Sequence, residues 1–177
     1  LDSWDQNDPN RKMTLEESPW LELSRGGKDP GHDLVNTLNP QIAQAQRDSA
    51  LNKLRKAQTS SGGFPWFPGG PPSPYMTLYL MGGFARATEF KVDVPKDMVQ
   101  KAWRYLAEHY RADYVKLMKK KECCWEFLTL LNYTASAYPD SSWTADALSM
   151  DERKEILDYT FGHWKQHSPY IKGLLAL

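Results

Sequence analysis

The sequence predicts an all-α fold built of layered helical hairpins. Three observations carry this. No alternating period-2 segment of useful length occurs, so strands have no pattern to form on. Runs of helical length instead follow helix-start signals at Asn39-Pro40, Ser73-Pro74, Val94-Pro95, Ser149-Met150-Asp151-Glu152 and Ser168-Pro169. These runs also alternate between amphipathic and strongly apolar types. Such alternation places apolar helices in an inner layer and amphipathic ones outside.

Residues 1–38 read as an extended arm, punctuated by Asp8-Pro9, Ser18-Pro19, Gly26-Gly27 and Asp29-Pro30. Within it, Trp20, Leu21 and Leu23 of TLEESPWLEL are the anchors expected to tie the arm down. The helical domain is expected over 39–177. Asn39 as N-cap and Pro40 at the first helical position open a helix over about 40–58. Ile42, Ala43, Ala50, Leu51, Leu54 and Ala57 form its apolar stripe, which predicts one buried face. Gly62-Gly63 stops any continuation.

Ser73-Pro74 opens a second helix, YMTLYLMGGFARATEF, which is apolar on nearly all sides. Each glycine of Gly82-Gly83 weakens it by ~1 kcal/mol relative to Ala, a cost recovered if another helix packs closely there. Val94-Pro95 starts a third helix with Met98, Ala102, Trp103, Tyr105 and Leu106 facing inward. The basic run KLMKKK at 116–121 reads as a solvated corner. A fourth, apolar helix, CCWEFLTLLNYTASAY, stops at Pro139. The capping box of Ser149 and Glu152 opens a fifth, and Ser168-Pro169 a sixth that the chain end truncates.

A chain of 177 residues suits one domain with a sizeable core. Apolar residues at 41% and charged residues at 25% are ordinary for a globular protein, but seven Trp, nine Tyr and six Phe must find a core or a groove. Lys plus Arg and Asp plus Glu balance at 22 each, so no global field attracts nucleic acid or an anionic membrane. No apolar run approaches the ~20 residues of a membrane span, and the N-terminus lacks a signal pattern. A start without Met and an end in apolar KGLLAL read as a piece of a longer protein.

Chemistry-bearing constellations are sparse. His163 and His167 have a zinc-compatible spacing on one expected helix face, without HExxH context or a third ligand. Cys123 and Cys124 are adjacent, where bonding to each other strains the shared peptide, so buried inert thiols are expected. Glu16-Glu17, Asp151-Glu152 and Glu155 have helix-start or surface explanations, although a glycosidase pair assembled from remote positions stays open. Asp-rich metal-diphosphate motifs, GxSxG, a phosphate-binding Gly-rich loop and CxxC are missing from the sequence. No catalytic residue, cofactor or metal ligand is therefore assigned.

The most informative stretch is ALNKLRKAQTSSGGFPWFPGGPPSPYMTLYL. It resembles a hairpin junction of α/α toroids and is similar to the thioester-type helical domain of bacterial α2-macroglobulin-like proteins. The residues that carry the resemblance are Leu51, Leu54, Gln58, Gly62-Gly63-Phe64, Trp66-Phe67, Gly69-Gly70 and Tyr75-Met76-Thr77, with TLEESPWL upstream. Together they cover about the first half of the chain; the second half fits as generic helices.

The resemblance implies a partial α/α toroid with an extended N-terminal arm, within a protease-trapping protein of the periplasm, cell envelope or secreted space. Its implied partners are other domains of the parent and proteases. The Cys-x-Glu-Gln thioester motif of relatives is absent, and Cys123-Cys124-Trp125-Glu126 lacks its Gln, so no thioester is assigned. Gly62, Gly63, Phe64, Trp66 and Phe67 become a structural corner, with Phe64, Trp66 and Phe67 expected to pack beneath it. Two other readings stand beside this one. In the first the chain belongs to an α/α-toroid enzyme of the terpene cyclase, prenyltransferase or polysaccharide-degrading type. In the second it is an interaction module that uses the three aromatics as an exposed patch.

Overall fold

The computed structural model describes residues 40–120 and 123–177. The arm over 1–38, with Glu16-Glu17 and the TLEESPWLEL anchors, lies outside the described residues. The chain divides into two compact units, 1–53 and 54–177.

The protein is all-α. Helix α1 spans Pro40–Ala57, α2 Pro74–Glu89, α3 Lys96–His109, α4 Val115–Lys120, α5 Trp125–Ser136, α6 Met150–Gly162 and α7 Pro169–Ala176. Two-residue strands β1 (Phe64–Pro65) and β2 (Pro72–Ser73) pair antiparallel, with Phe64 opposite Ser73. The first four turns of α1 fall in the first unit. No residue of α1 is fully buried; Ile42, Arg47, Leu51, Leu54 and Ala57 are half-buried, and the expected buried face is only that stripe.

Within residues 54–177, the apolar helices α2, α5 and α7 form one layer, α5 packing on both α2 and α7. The amphipathic α3 packs on α2, and α6, which buries Ile156 and Thr160, packs on α5. Sequence explains the layering. In α3, Met98, Val99, Ala102, Trp103, Leu106 and Ala107 recur at helical spacing and are all buried. Opposite them, α2 buries Leu78, Met81, Phe84 and Ala85, and α5 buries Leu128, Leu131 and Ala135. At ~25 cal/mol per Å² of apolar surface, such side chains each stabilise the fold by roughly 1.5–3 kcal/mol.

Caps fix the ends. Ser73 and Ser168 accept from the amides of Met76 and Ile171, each with Pro at the first helical position. Ser149 and Glu152 make the expected capping box on α6. α2 ends in a Schellman arrangement: the Lys91 amide bonds the Thr88 carbonyl and the Val92 amide the Ala87 carbonyl, both at 2.9 Å, with Lys91 at φ 57°.

Of the basic run at 116–121, Lys116, Lys119 and Lys120 are exposed as expected, but they sit on a helix and not at a corner. α3 continues through a π-helical turn, Tyr110–Tyr114, into α4, where Met118 is buried. At the start of the π turn Tyr110 is buried while Arg111, the next residue, is exposed. Arg111 bonds both Glu152 oxygens, at 2.6 and 2.9 Å, and the Ala147 carbonyl at 2.6 Å. The Ser149 amide also donates to Glu152 at 2.8 Å. Behind this, Tyr138 donates its hydroxyl to the Met81 carbonyl at 2.7 Å, tying the segment after α5 to α2. Burial pushes the Tyr138 hydroxyl well above the ordinary phenol range, and it pushes Tyr110 to about 12, helped by Glu155 and Glu152.

The Arg111 hydrogen bonds, opposed by burial, hold the Glu152 carboxyl below its usual 4.5. A depressed folded-state pKa adds stability above the unfolded value, which is lost as pH falls through the folded value. Glu152→Gln should therefore lower stability at neutral pH by up to about 1 kcal/mol, since the pair is partly solvated, and flatten the decline below pH 4.5 in urea unfolding titrations. A variant whose pH dependence matches the parent protein overturns this assignment.

Candidate functional site

The corner runs from Gln58 to Ser73, between the end of α1 and the start of α2. α1 ends at Ala57, before the glycines expected to stop it, and Gln58 takes over the role of anchor. Its side-chain amide donates to the carbonyls of Gly62 and Met98, both at 2.9 Å. Thr59 closes the turn, its amide and hydroxyl both donating to the Gly63 carbonyl at 2.9 Å. The Phe64 amide donates to the Thr77 hydroxyl at 2.8 Å, and that hydroxyl donates to the Ser73 carbonyl at 2.7 Å. Thr77 is fully buried and links the corner to the first turn of α2.

Both glycines have a physical reason. Gly62 sits at φ +93°, and a Cβ there would collide with the Lys101 carbonyl. A Cβ on Gly63 would lie 2.7 Å from the Tyr105 ring and from Pro72. Burial raises the Tyr105 hydroxyl pKa.

The three aromatics do not act together. Phe64 is 1% exposed and plugs the corner, whereas Trp66 is 61% and Phe67 63% exposed. Packing of all three beneath the corner is therefore corrected. Trp66 and Phe67 lie beyond the paired residues of β1, at the tip that the turn through Gly69 (φ +79°) creates. Gly70 donates to the Phe67 carbonyl at 3.0 Å, so the tip points its rings away from the core. Trp66 stacks on Tyr75 at 5.9 Å with 13° between planes.

Tyr75 and Tyr79, one helical turn apart on α2, continue this aromatic edge and are exposed. They line an open groove of about 750 Å³ between α2, α5 and α7, with Arg86, Tyr133 and Tyr170. Gly82 and Gly83 form part of its floor, and neither has a heavy atom within 4 Å of where a Cβ would stand. The close helix partner expected there is thus absent among the described residues. The glycines instead keep the groove deep. Sequence reading missed this groove; the exposed i, i+4 tyrosines on a helix taken as apolar all round were its available signal.

Reacting groups do not converge on this groove. Glu89 is the only carboxylate among its lining residues and Arg86 the only cation. The carboxyls with a resolved shift all move down. At Asp97 the effect of burial is outweighed by Arg55, while Asp140 is held down by Ser142 and Glu152 by Arg111. They are held ionised rather than poised near neutrality as an acid catalyst requires.

Two further calls change. His163 and His167 do not share a helix face, because α6 ends at Gly162 and a 3₁₀ turn, Trp164–Gln166, separates them. A ring nitrogen of each meets a backbone carbonyl, of Tyr159 at 2.8 Å and of Thr160 at 3.1 Å. Cys123 and Cys124 are not inert buried thiols: they are half-exposed and joined by a disulfide. Comparison of the chain with protein-family models, curated proteins and solved structures finds no match.

The two glycine classes separate by substitution. Gly62→Ala should destabilise the protein by at least about 1–2 kcal/mol, because it forces a left-handed alanine against Lys101. Gly82→Ala, in an open helical site, should be neutral or stabilising by up to about 1 kcal/mol in the same denaturation assay. Similarly, Phe64→Ala should cost about 3–5 kcal/mol and Trp66→Ala under about 0.5. Equal losses within either pair would contradict the geometry.

Proposed function

We propose that this chain is a non-catalytic helical domain of a bacterial α2-macroglobulin-like protein. It contributes to protease inhibition and trapping in the cell envelope without a thioester of its own. The observation that carries the reading is the corner: Gln58, Gly62, Gly63, Phe64 and Thr77, five of the residues of the resemblance, each have a distinct role in closing the turn into α2. The packing of successive helices in two layers, α3 on α2 and α6 on α5, is compatible with a partial α/α toroid. A disulfide suits the oxidising compartment proposed.

On this reading the domain acts through packing against other domains of the parent. The exposed Trp66, Phe67, Tyr75 and Tyr79 favour the interaction-module reading within it, since aromatic side chains dominate protein interfaces. The enzyme reading draws no such support, because the groove brings together no carboxylate pair.

The test uses the full-length parent. Incubated with a protease, it should slow cleavage of large protein substrates while small peptide substrates are still cut. Trp66→Ala with Phe67→Ala should weaken that protection without unfolding the helices. Unchanged digestion of large substrates by the protease overturns the proposal.

A further inference from the structure

We propose that Cys123 and Cys124 form a thiol–disulfide exchange site, opened by a dithiol reductant, whose redox state sets the conformation at the start of α5. The argument begins with sequence separation. The bonded residues are adjacent, so the cross-link closes no loop and removes almost no entropy from the unfolded chain. It is no staple for the fold; what it constrains is the backbone of its own two residues.

That constraint falls on a sensitive point. Cys124 occupies the left-handed region, φ 77° and ψ 7°, at the N-cap of α5, and makes no side-chain capping bond. Such a conformation disfavours any residue with a Cβ. Its carbonyl accepts the first helical bond, from the Leu128 amide at 3.0 Å. Cys123 accepts at its carbonyl from the Tyr159 hydroxyl of α6 at 2.8 Å. Next in the chain, Trp125 stacks on His163 at 5.0 Å and 3°, and Tyr159 meets the same imidazole at 4.5 Å. One dipeptide thus sets the entry of α5 and its junction with the end of α6.

Both cysteines are half-exposed, so a thiolate can reach them. Attack by one thiolate of the reductant on either sulfur forms a mixed disulfide, and the displaced cysteine leaves as thiolate and takes a proton. The second thiol of the reductant then displaces the remaining cysteine. The protein gains two electrons and two protons, and the dithiol becomes a disulfide. With the link open, Cys124 is free to leave the left-handed region, and the first turn of α5 must recap.

The test uses the intact chain with dithiothreitol as reductant and iodoacetamide as trap. Untreated folded protein should take up no alkyl group. Reduced protein should take up two, with its far-ultraviolet helical signal retained. Emission from Trp125, isolated by comparison with Trp125→Phe, should rise once the neighbouring disulfide no longer quenches it. The Leu128 amide, bonded to the Cys124 carbonyl, should exchange roughly tenfold faster. Cys123→Ser with Cys124→Ser should reproduce the reduced state. Cys124→Gly, which accepts the left-handed conformation freely, should keep native exchange and ignore reductant. Alkylation without reduction, alkylation only after denaturation, or identical emission and exchange in both redox states would each overturn the proposal.

Discussion

Everything after the first helix depends on how closely the chain can pass α3 at Gly62. To enter α2 in register, the backbone must turn left-handed directly against the Lys101 carbonyl, where no Cβ fits. Gln58 then spans the gap that the turn opens, bonding one carbonyl of the turn and one of α3. The Phe64 amide is thereby delivered to Thr77, and the Phe64 ring to a sealed site. Buried polar groups must be paired. A shift of the turn would leave the Phe64 amide or the Thr77 hydroxyl without its partner, so the corner has one geometry instead of several.

From that corner the layering follows. α2 buries Met81 and Phe84 and leaves Tyr75 and Tyr79 exposed. An apolar helix with four faces to satisfy would need neighbours all round; the tyrosines relieve that demand, because each presents a polar tip to water while covering apolar surface. The groove floored by Gly82 and Gly83 is the consequence. Polar ties then lock the layers at two places, Tyr138 onto the Met81 carbonyl and Arg111 onto Glu152. At the start of the π turn, consecutive Tyr110 and Arg111 serve the core and the capping box respectively.

Helix positions were legible because their starts are chemical: a serine or asparagine before proline, and a capping box, announce themselves over a few residues. The end of α2 was less so, since Lys91 takes a conformation usually given to glycine and is held by two backbone bonds that no local sequence signal reveals. The run into α4 was legible as solvated at Lys116, Lys119 and Lys120, but its helical form was not, because the one buried side chain among them, Met118, leaves no stripe to read. The site divided in the same way. Gly62, Gly63 and Phe64 were readable as a corner because glycine pairs beside an aromatic constrain backbone locally. Trp66 and Phe67 were not, because their exposure depends on a strand pairing of two residues a side, too short to leave a pattern.

The left-handed positions distinguish the two corners physically. At Gly62 the residue type itself removes the penalty. At Lys91 the Schellman bonds offset it. At Cys124 the covalent link to Cys123 occupies the place of either device, in a segment where glycine would have served the helix start without chemistry. A backbone conformation held by a bond that can be opened differs in kind from one held by an absent Cβ. The first depends on the chain's surroundings, and the second does not. The Gly62 corner is therefore a fixed element of the fold, while the start of α5 is tied to the redox state of its compartment.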